Sequence, residues 1–240
     1  MSFVAQTAQP LSTFVPVRGA LDQAVRKVTS QNDSHSALQA IGTVARFGRN
    51  TTIFGDGEEA DYSYRIVSGT ARLCKLMSDG RRQITEFPMP GDFFGLEWTG
   101  LHSLSAEALT DVVVVQFSRT RLRRLAEERS DVQRSLIAIL SRNLWAAQNH
   151  LVMLGRQTAK ERVVSFLLAL VERNGVRNGG VLDVPMSRQD IADYLGLTIE
   201  TVCRAISELK RARLIDVPNR AHIVMRHLAK LREIAENDLQ

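Results

Sequence analysis

The spacing of apolar residues along the chain changes from one stretch to the next. Residues 1–35 show no sustained period: Gln, Ser, Thr and Ala dominate, with Pro10 and Pro16, which predicts a flexible N-terminal arm without a core of its own. From Thr43 to Ser118 short β-like runs are separated by Gly55, Gly57, Gly69, Gly80, Gly91 and Gly95, the rhythm of a compact antiparallel roll. Asp79-Gly80 is the clearest hairpin signal, joining Ala71–Met77 to Arg82–Phe87, and Pro88-Met89-Pro90-Gly91 would end the second strand. Val112–Phe117, rich in β-branched residues, closes this unit, which is taken as residues 36–118.

Beyond Arg119 the pattern turns helical. Ile137, Leu140, Leu144, Ala147, Leu151 and Leu154 recur at alternating intervals of three and four. Such a stripe is either a coiled-coil seam or the inner face of an ordinary helix. Residues 119–156 are read as a dimerisation helix region, the seam being the preferred reading. The longest apolar stretch, Val163–Val171, is nine residues long and follows Lys160, Glu161 and Arg162, too short to span a bilayer. It predicts a buried helix, Ala159–Glu172, at the start of a last domain covering residues 157–240.

Within that domain, residues 187–204 read as two short helices around a glycine turn. Ser187 with Asp190 three residues on forms one cap, Gly196 permits a left-handed turn, and Thr198 caps the second helix. Ile191, Ala192, Leu195, Leu197, Val202 and Ile206 supply apolar faces to lock the helices together. The second helix keeps a face of Ile199, Glu200, Cys203, Arg204 and Ser207. An arginine can donate two hydrogen bonds to guanine, and a glutamate can accept from cytosine, so this face suits a major groove. A surface salt-bridged pair is the plainer reading of Glu200 and Arg204. Asn178-Gly179-Gly180 marks a turn before Val181–Val184. Leu214–Val217, Pro218-Asn219-Arg220 and Ala221–Met225 predict a hairpin wing, followed by a mostly solvent-facing helix from His227 to Gln240. Arg188, Ser207, Lys210, Arg211, Arg213 and Arg220 are candidates for phosphate contact, or simply solvated charge and polarity.

Gly-Leu-Thr-Ile-Glu-Thr-Val-Cys-Arg at residues 196–204 resembles the recognition-helix signature of the CRP/FNR transcription regulators, and from about Thr43 to Met225 the order of glycines, strands, long helix and helix-turn-helix is similar to that family. The Glu-x-x-(Ser/Cys)-Arg spacing is nearest its FNR and FixK branches. The resemblance implies an α+β chain: an N-terminal antiparallel β-roll like a cyclic-nucleotide-binding domain, a long dimerisation helix and a C-terminal winged helix-turn-helix. It also implies a homodimer that binds double-stranded DNA at inverted repeats such as TTGAT-N4-ATCAA and recruits RNA polymerase. Base reading then falls to Glu200, Cys203 and Arg204, with Ile199 beside them. A loop around Thr99–Ser103 is a candidate polymerase surface by the same analogy.

Composition limits the remaining choices. The 31 basic and 26 acidic residues among 240 give a net charge of +5 and a pI near 9.6, compatible with a polyanion but weak evidence alone. Residues 1–35 lack a secretory signal pattern and nothing spans a membrane, so a cytoplasmic location is expected. The two cysteines, Cys74 and Cys203, are far apart and cannot assemble the iron–sulfur cluster of FNR-type sensors. Together with the scattered His35, His102, His150, His222 and His227, this leads to the expectation of no metal and no cofactor. Cys74 reads as a small buried residue. Cys203 is either an inert residue chosen for fit or a redox brake, since oxidation would set charge or bulk against DNA phosphate. No Lys or Arg occurs between Asp92 and Ser118, and Gly95 is followed by Leu96 and Glu97, so a nucleotide phosphate in the roll would lack a cation. The chain is therefore expected to act without a small-molecule effector, the alternative being a ligand-gated regulator. An enzyme using the Cys203 thiol finds no matching base or oxyanion site.

Overall fold

The computed structural model describes residues 32–97 and 100–236, with the side chains of 32–36 left aside. Residues 1–31 of the expected arm, Thr99 of the candidate polymerase loop and residues 237–240 lie outside the described residues. A helix, α1 (Asn32–Ile41), crosses the expected boundary at residue 35 and leads into the roll.

The roll consists of two antiparallel four-stranded sheets. Strands β1 (Gly42–Phe47), β8 (Val112–Ser118), β3 (Tyr62–Ser68) and β6 (Phe93–Phe94) form one in that order; β2 (Thr52–Phe54), β7 (Ser105–Ala108), β4 (Ala71–Leu76) and β5 (Arg82–Glu86) form the other. In β4 and β8 inward residues such as Ala71, Leu73, Val112 and Val114 alternate with more accessible ones, the pattern of a sheet with one face on a core. Two glycines hold backbone angles that other residues rarely adopt. Gly69, between β3 and β4, has φ +85°, and a Cβ there would sit 2.2 Å from the Asp111 carbonyl oxygen. Gly80, at φ +84°, turns the hairpin that pairs Leu76 with Arg82.

Two helices follow the roll rather than one continuous rod. Helix α2 (Arg119–Glu128) ends at Arg129, whose extended backbone separates it from α3 (Ser130–Arg156). The first part of α3 buries Val132, Leu136 and Ile139 with Leu122, Phe93 and Phe117. Past that point the helix shows an apolar stripe to solvent, treated below.

The last domain starts with α4 (Ala159–Asn174), capped reciprocally by Thr158 and Glu161 and ended by Gly175 in the left-handed conformation. Val163, Val164, Phe166, Leu167, Leu168, Leu170 and Val171 are buried, so the apolar stretch is a core helix. Around it lie β9 (Val181–Asp183), α5 (Arg188–Leu195), α6 (Ile199–Arg211), β10 (Ile215–Asp216), β11 (His222–Met225) and α7 (Leu228–Glu236). The strands pair in the order β10-β11-β9, with the wing turn between β10 and β11.

The closing helix is exposed over most of its described length, as expected, and docks through two residues: α7 buries Leu228 and Leu231 in the core that α4 organises. Leucines spaced by three, with Ile234 three further on, make a narrow stripe sufficient to dock so short a helix. That same core runs on into the roll, because Cys74, Ile84, Phe87, Met89 and Leu109 belong to one apolar cluster with Phe166, Val202 and Leu209. Among the described residues no helix is long and apolar enough to cross a membrane.

Leu231 is wholly buried, and removing most of its side chain leaves a cavity. Leu231→Ala is expected to lower stability by about 2–5 kcal/mol, read as a reduced urea midpoint by circular dichroism. A midpoint equal to that of the parent chain would show that α7 does not belong to the core.

Candidate nucleic-acid interface

Helix α5 begins with a complete capping box. The Ser187 hydroxyl accepts from the Asp190 backbone N–H at 3.0 Å, while Asp190 Oδ2 accepts from the Ser187 backbone N–H at 3.0 Å and from its hydroxyl at 2.6 Å. Gly196 ends α5 at φ +61°, and the Leu197 N–H returns to the Ala192 carbonyl at 3.0 Å. Thr198 then caps α6, accepting from the Thr201 N–H at 3.3 Å. Val202, Ala205, Ile206 and Leu209 of α6 point inward with Ile191, Ala192 and Leu195 of α5. This packing decides which side of α6 is left for a ligand.

The free side presents Glu200, Cys203, Arg204 and Ser207 to solvent, with Ile199 half-buried at its edge. Glu200 and Arg204 form no ion pair with each other, nor does Arg204 pair with any other described residue. The Glu200 backbone N–H and the Thr198 hydroxyl hold the Glu200 carboxyl below the usual carboxylate range, so it stands as an ionised acceptor. Ser207 spends its hydroxyl proton on the Cys203 carbonyl at 2.8 Å, leaving its lone pairs outward. Lys210, Arg211 and Arg213 are exposed at and beyond the end of α6, and Arg220 is exposed on the wing. Lys210 shares Asp216 with Arg226 at 4.0 and 3.7 Å.

Arg188 is placed differently from the other cations. It is half-buried, its Nη1 is shielded from solvent without a hydrogen-bond partner among the described residues, and Cys203 lies within its electrostatic reach. Burial lowers its pKa, and the neighbouring thiol group acts in the opposite direction. It therefore stands between α5 and α6 rather than on an open surface.

On α3, Ile137, Leu140, Leu144, Ala147 and Leu151 are exposed, a continuous apolar stripe beside the face that Val132, Leu136 and Ile139 bury. Leu154 departs from the stripe: it is half-buried, with its Cδ2 beside Gly196 at the helix-turn-helix turn. The heptad spacing carries no information about this, because the helix is about to meet another domain there. Sequence reasoning also missed Arg162. Its Nε donates to the Gln157 carbonyl at 2.9 Å, Nη1 to Leu195 at 3.0 Å and Nη2 to Leu154 at 2.8 Å, joining the ends of α3 and α5.

Inside the roll, where a cyclic-nucleotide-binding domain would hold its ligand, aromatic rings fill the space. Phe54 stacks on His102 at 3.6 Å between centroids, on Tyr64 at 5.5 Å and on Phe94 at 6.0 Å. A Cβ at Gly95 would already approach Phe54 and Tyr64 to 3.2 Å and His102 to 3.4 Å. Burial first, then the charges of Tyr62, Glu58 and Asp61, push the Tyr64 hydroxyl up to about 12. His102 Nδ1 lies 3.1 Å from Glu97 Oε2, so His102, part of the candidate polymerase loop, points inward while Leu101 and Ser103 are exposed. Cys74 is buried, and burial raises its thiol pKa ahead of the opposing effects of surrounding charges.

Comparison with known proteins agrees with this anatomy. Residues 161–234 match a family model described as a Crp-like helix-turn-helix domain, and residues 44–129 match one described as a cyclic nucleotide-binding domain. The chain is 44% identical over 200 residues to the nitrogen fixation regulation protein FixK of Azorhizobium caulinodans, covering 82% of this chain and 81% of that protein. It is 39% identical over 183 residues to the transcriptional activatory protein AadR of Rhodopseudomonas palustris, covering 75% and 77%. The solved structure of FixK2 from Bradyrhizobium japonicum superposes with a TM-score of 0.77 at 41% identity, over 81% of this chain and 97% of that one. With a roll, a long helix and a winged helix-turn-helix in the same order as these proteins, the chain belongs to the CRP/FNR family of transcription regulators, on its FixK-like branch.

Proposed function

We propose that this chain is a homodimeric cytoplasmic transcription activator that reads an inverted repeat like TTGAT-N4-ATCAA and recruits RNA polymerase. The observation that carries this reading is the face of α6, where Glu200, Cys203 and Arg204 stand exposed together and the two charged members are left unpaired with each other. Arg204 donates to guanine O6 and N7, Glu200 accepts from a cytosine amino group, and Ile199 and Cys203 fill the space between. Lys210, Arg211 and Arg220 contact phosphate, with Arg188 bracing the backbone from α5, and Ser207 joins them by turning its hydroxyl from the Cys203 carbonyl to a phosphate oxygen; the charged contacts make affinity depend on salt. The stripe Ile137, Leu140, Leu144, Ala147 and Leu151 pairs with its copy, placing two α6 helices about one helical turn of DNA apart. The similarity to AadR, a transcriptional activatory protein, supports activation. Leu101 and Ser103, exposed beside the roll, form part of the polymerase surface.

The aromatic filling of the roll and the Glu97 carboxylate inside it support action without a nucleotide effector. An anionic phosphate entering there would meet the Glu97 carboxylate, and among the described residues no Lys or Arg follows between Asp92 and Ser118 to offset it. Control falls instead on Cys203. Two equivalents of peroxide carry its thiolate through the sulfenic to the sulfinic acid, each transferring one oxygen and releasing water, and the product sets negative charge against DNA phosphate.

Fluorescence anisotropy of the reduced protein, without added ligand, is expected to show tighter binding to the TTGAT-N4-ATCAA duplex than to a scrambled one. Arg204→Ala should weaken the specific complex by about 1–3 kcal/mol and leave binding to random sequence nearly unchanged. Equal weakening on both duplexes would reduce Arg204 to a phosphate contact. Binding that appears only on adding an effector would favour the ligand-gated reading. Peroxide is expected to abolish specific binding by the parent chain and to spare Cys203→Ser; a Cys203→Ser chain as sensitive as its parent removes Cys203 from control.

A further inference from the structure

One face of the β4–β5 hairpin is occupied by the DNA-binding domain itself. Arg72 Nη1 lies 2.7 Å from Asp190 Oδ1, and Arg82 Nη2 lies 2.9 Å from the same oxygen. Arg82 Nε donates to Asp193 Oδ2 at 2.8 Å. Glu107 of β7 steadies Arg72 from behind, accepting from its Nε at 2.8 Å. Below the charges, Gln83 Nε2 donates to the Tyr194 carbonyl at 3.3 Å, and the Phe87 ring packs on Tyr194 at 5.2 Å between centroids. One short helix, α5, thus receives two arginines, an amide and an aromatic ring from the roll.

The arrangement exceeds what capping requires. Asp190 Oδ2 alone completes the box with Ser187, so the two arginines on Oδ1 are not needed to start the helix. The Asp190 side chain is 5% exposed, and a carboxylate so deep tolerates the loss of water because cations replace it. Burial disfavours the Arg82 charge as well, and the hydrogen bond to Asp193 with the charges of Asp193 and Asp190 outweighs it.

Covalently, the DNA-binding domain hangs from α3 through Gln157 and Thr158. A reader of paired half-sites needs both copies of α6 held at one separation and tilt, since the second contact gains effective concentration only when the geometry allows both at once. Because α6 is locked on α5, whatever holds α5 aims α6. We propose that Arg72 and Arg82 are positioning residues for DNA reading, holding α5 through Asp190 and Asp193 so that the two recognition helices of a dimer meet adjacent major grooves. This rests on the paired reading proposed above. The arginines touch no DNA; they set the spacing at which DNA is read.

The test uses the full-length reduced protein. Binding of Arg82→Gln is measured on the full inverted repeat, on repeats with the spacer changed by one base pair, and on a single half-site. The expected result is about tenfold weaker binding to the full repeat, within about twofold of the parent on the half-site, and blunted discrimination between spacers. Arg82→Lys, which keeps a cation facing both Asp190 and Asp193, is expected to retain more of the preference for the parental spacer than Arg82→Gln. Full-repeat binding equal to the parent, equal loss on half-site and repeat, or a spacer preference in Arg82→Lys no better than in Arg82→Gln would each overturn the proposal. Trypsin cleavage after the exposed Arg156 reads the clamp without DNA and is expected to be about fivefold faster in Arg82→Gln, tracking the population of the open form; an unchanged rate overturns it. If the parent chain itself does not prefer the repeat to a scrambled duplex, the DNA site is wrong, and the cleavage rate alone decides the clamp.

Discussion

Asp190 stands where three requirements meet. Its backbone N–H and one carboxylate oxygen begin α5, its other oxygen faces Arg72 and Arg82 of the roll, and its burial among apolar neighbours makes each of these bonds matter more. A buried carboxylate deprived of either set would face a desolvation penalty with too few donors, so the cap and the interdomain contact stabilise each other. Apolar packing reinforces the same seam: Phe87 of the roll touches Phe166 and Tyr194 of the DNA-binding domain, and His150 from α3 lies on the other side of Tyr194 at 4.2 Å. Roll, long helix and helix-turn-helix thus share one boundary.

A second contact acts at the opposite side of that boundary. Asp92, just before β6, pairs with Arg173 near the end of α4 and lies 3.8 Å from Arg142 of α3. Its carboxylate also accepts from the Met89 N–H at 3.0 Å, which closes the Pro-rich turn after β5. The segment that ends the hairpin is therefore tied to both helices. In the roll interior, by contrast, rings stack on rings and Gly95 is kept small by the crowd around it. The strands match a cyclic nucleotide-binding domain, and aromatic rings pack together in their interior.

How far each part was legible follows from the range of the interactions that make it. Ser187 with Asp190, Gly196 and Thr198 are signals confined to a few residues, and the structure realises each as a cap or a left-handed turn. The Asp79-Gly80 hairpin is equally local. The pairing of Arg72 with Asp190 spans 118 residues and leaves no trace in any window of the sequence. Leu154 follows the heptad period yet faces Gly196, because a periodic pattern cannot announce where the next domain will lie. The closing helix is mostly exposed, as its sequence suggests, but the docking of Leu228 and Leu231 was not legible for a related reason: so narrow a stripe becomes visible only against the groove that receives it. For the site, residue type and spacing on α6 were enough to nominate Glu200, Cys203 and Arg204, whereas the half-burial of Arg188 depended on packing between two helices.

Arg162 gives the hinge its mechanical character. A planar guanidinium donating to three carbonyls on two stretches of backbone, the ends of α3 and α5, works as a gusset, and a lysine, with a single ammonium at the end of a flexible stem, has no matching fork. Two of those carbonyls, Leu154 and Leu195, belong to the last turns of α3 and α5, where helix geometry leaves oxygens without partners. Twist applied along α3 therefore arrives at the turn of the helix-turn-helix instead of dissipating in the two-residue link before α4. The long helix acts on the DNA-binding domain as a torsion shaft, and Arg162 is the key that stops it from slipping.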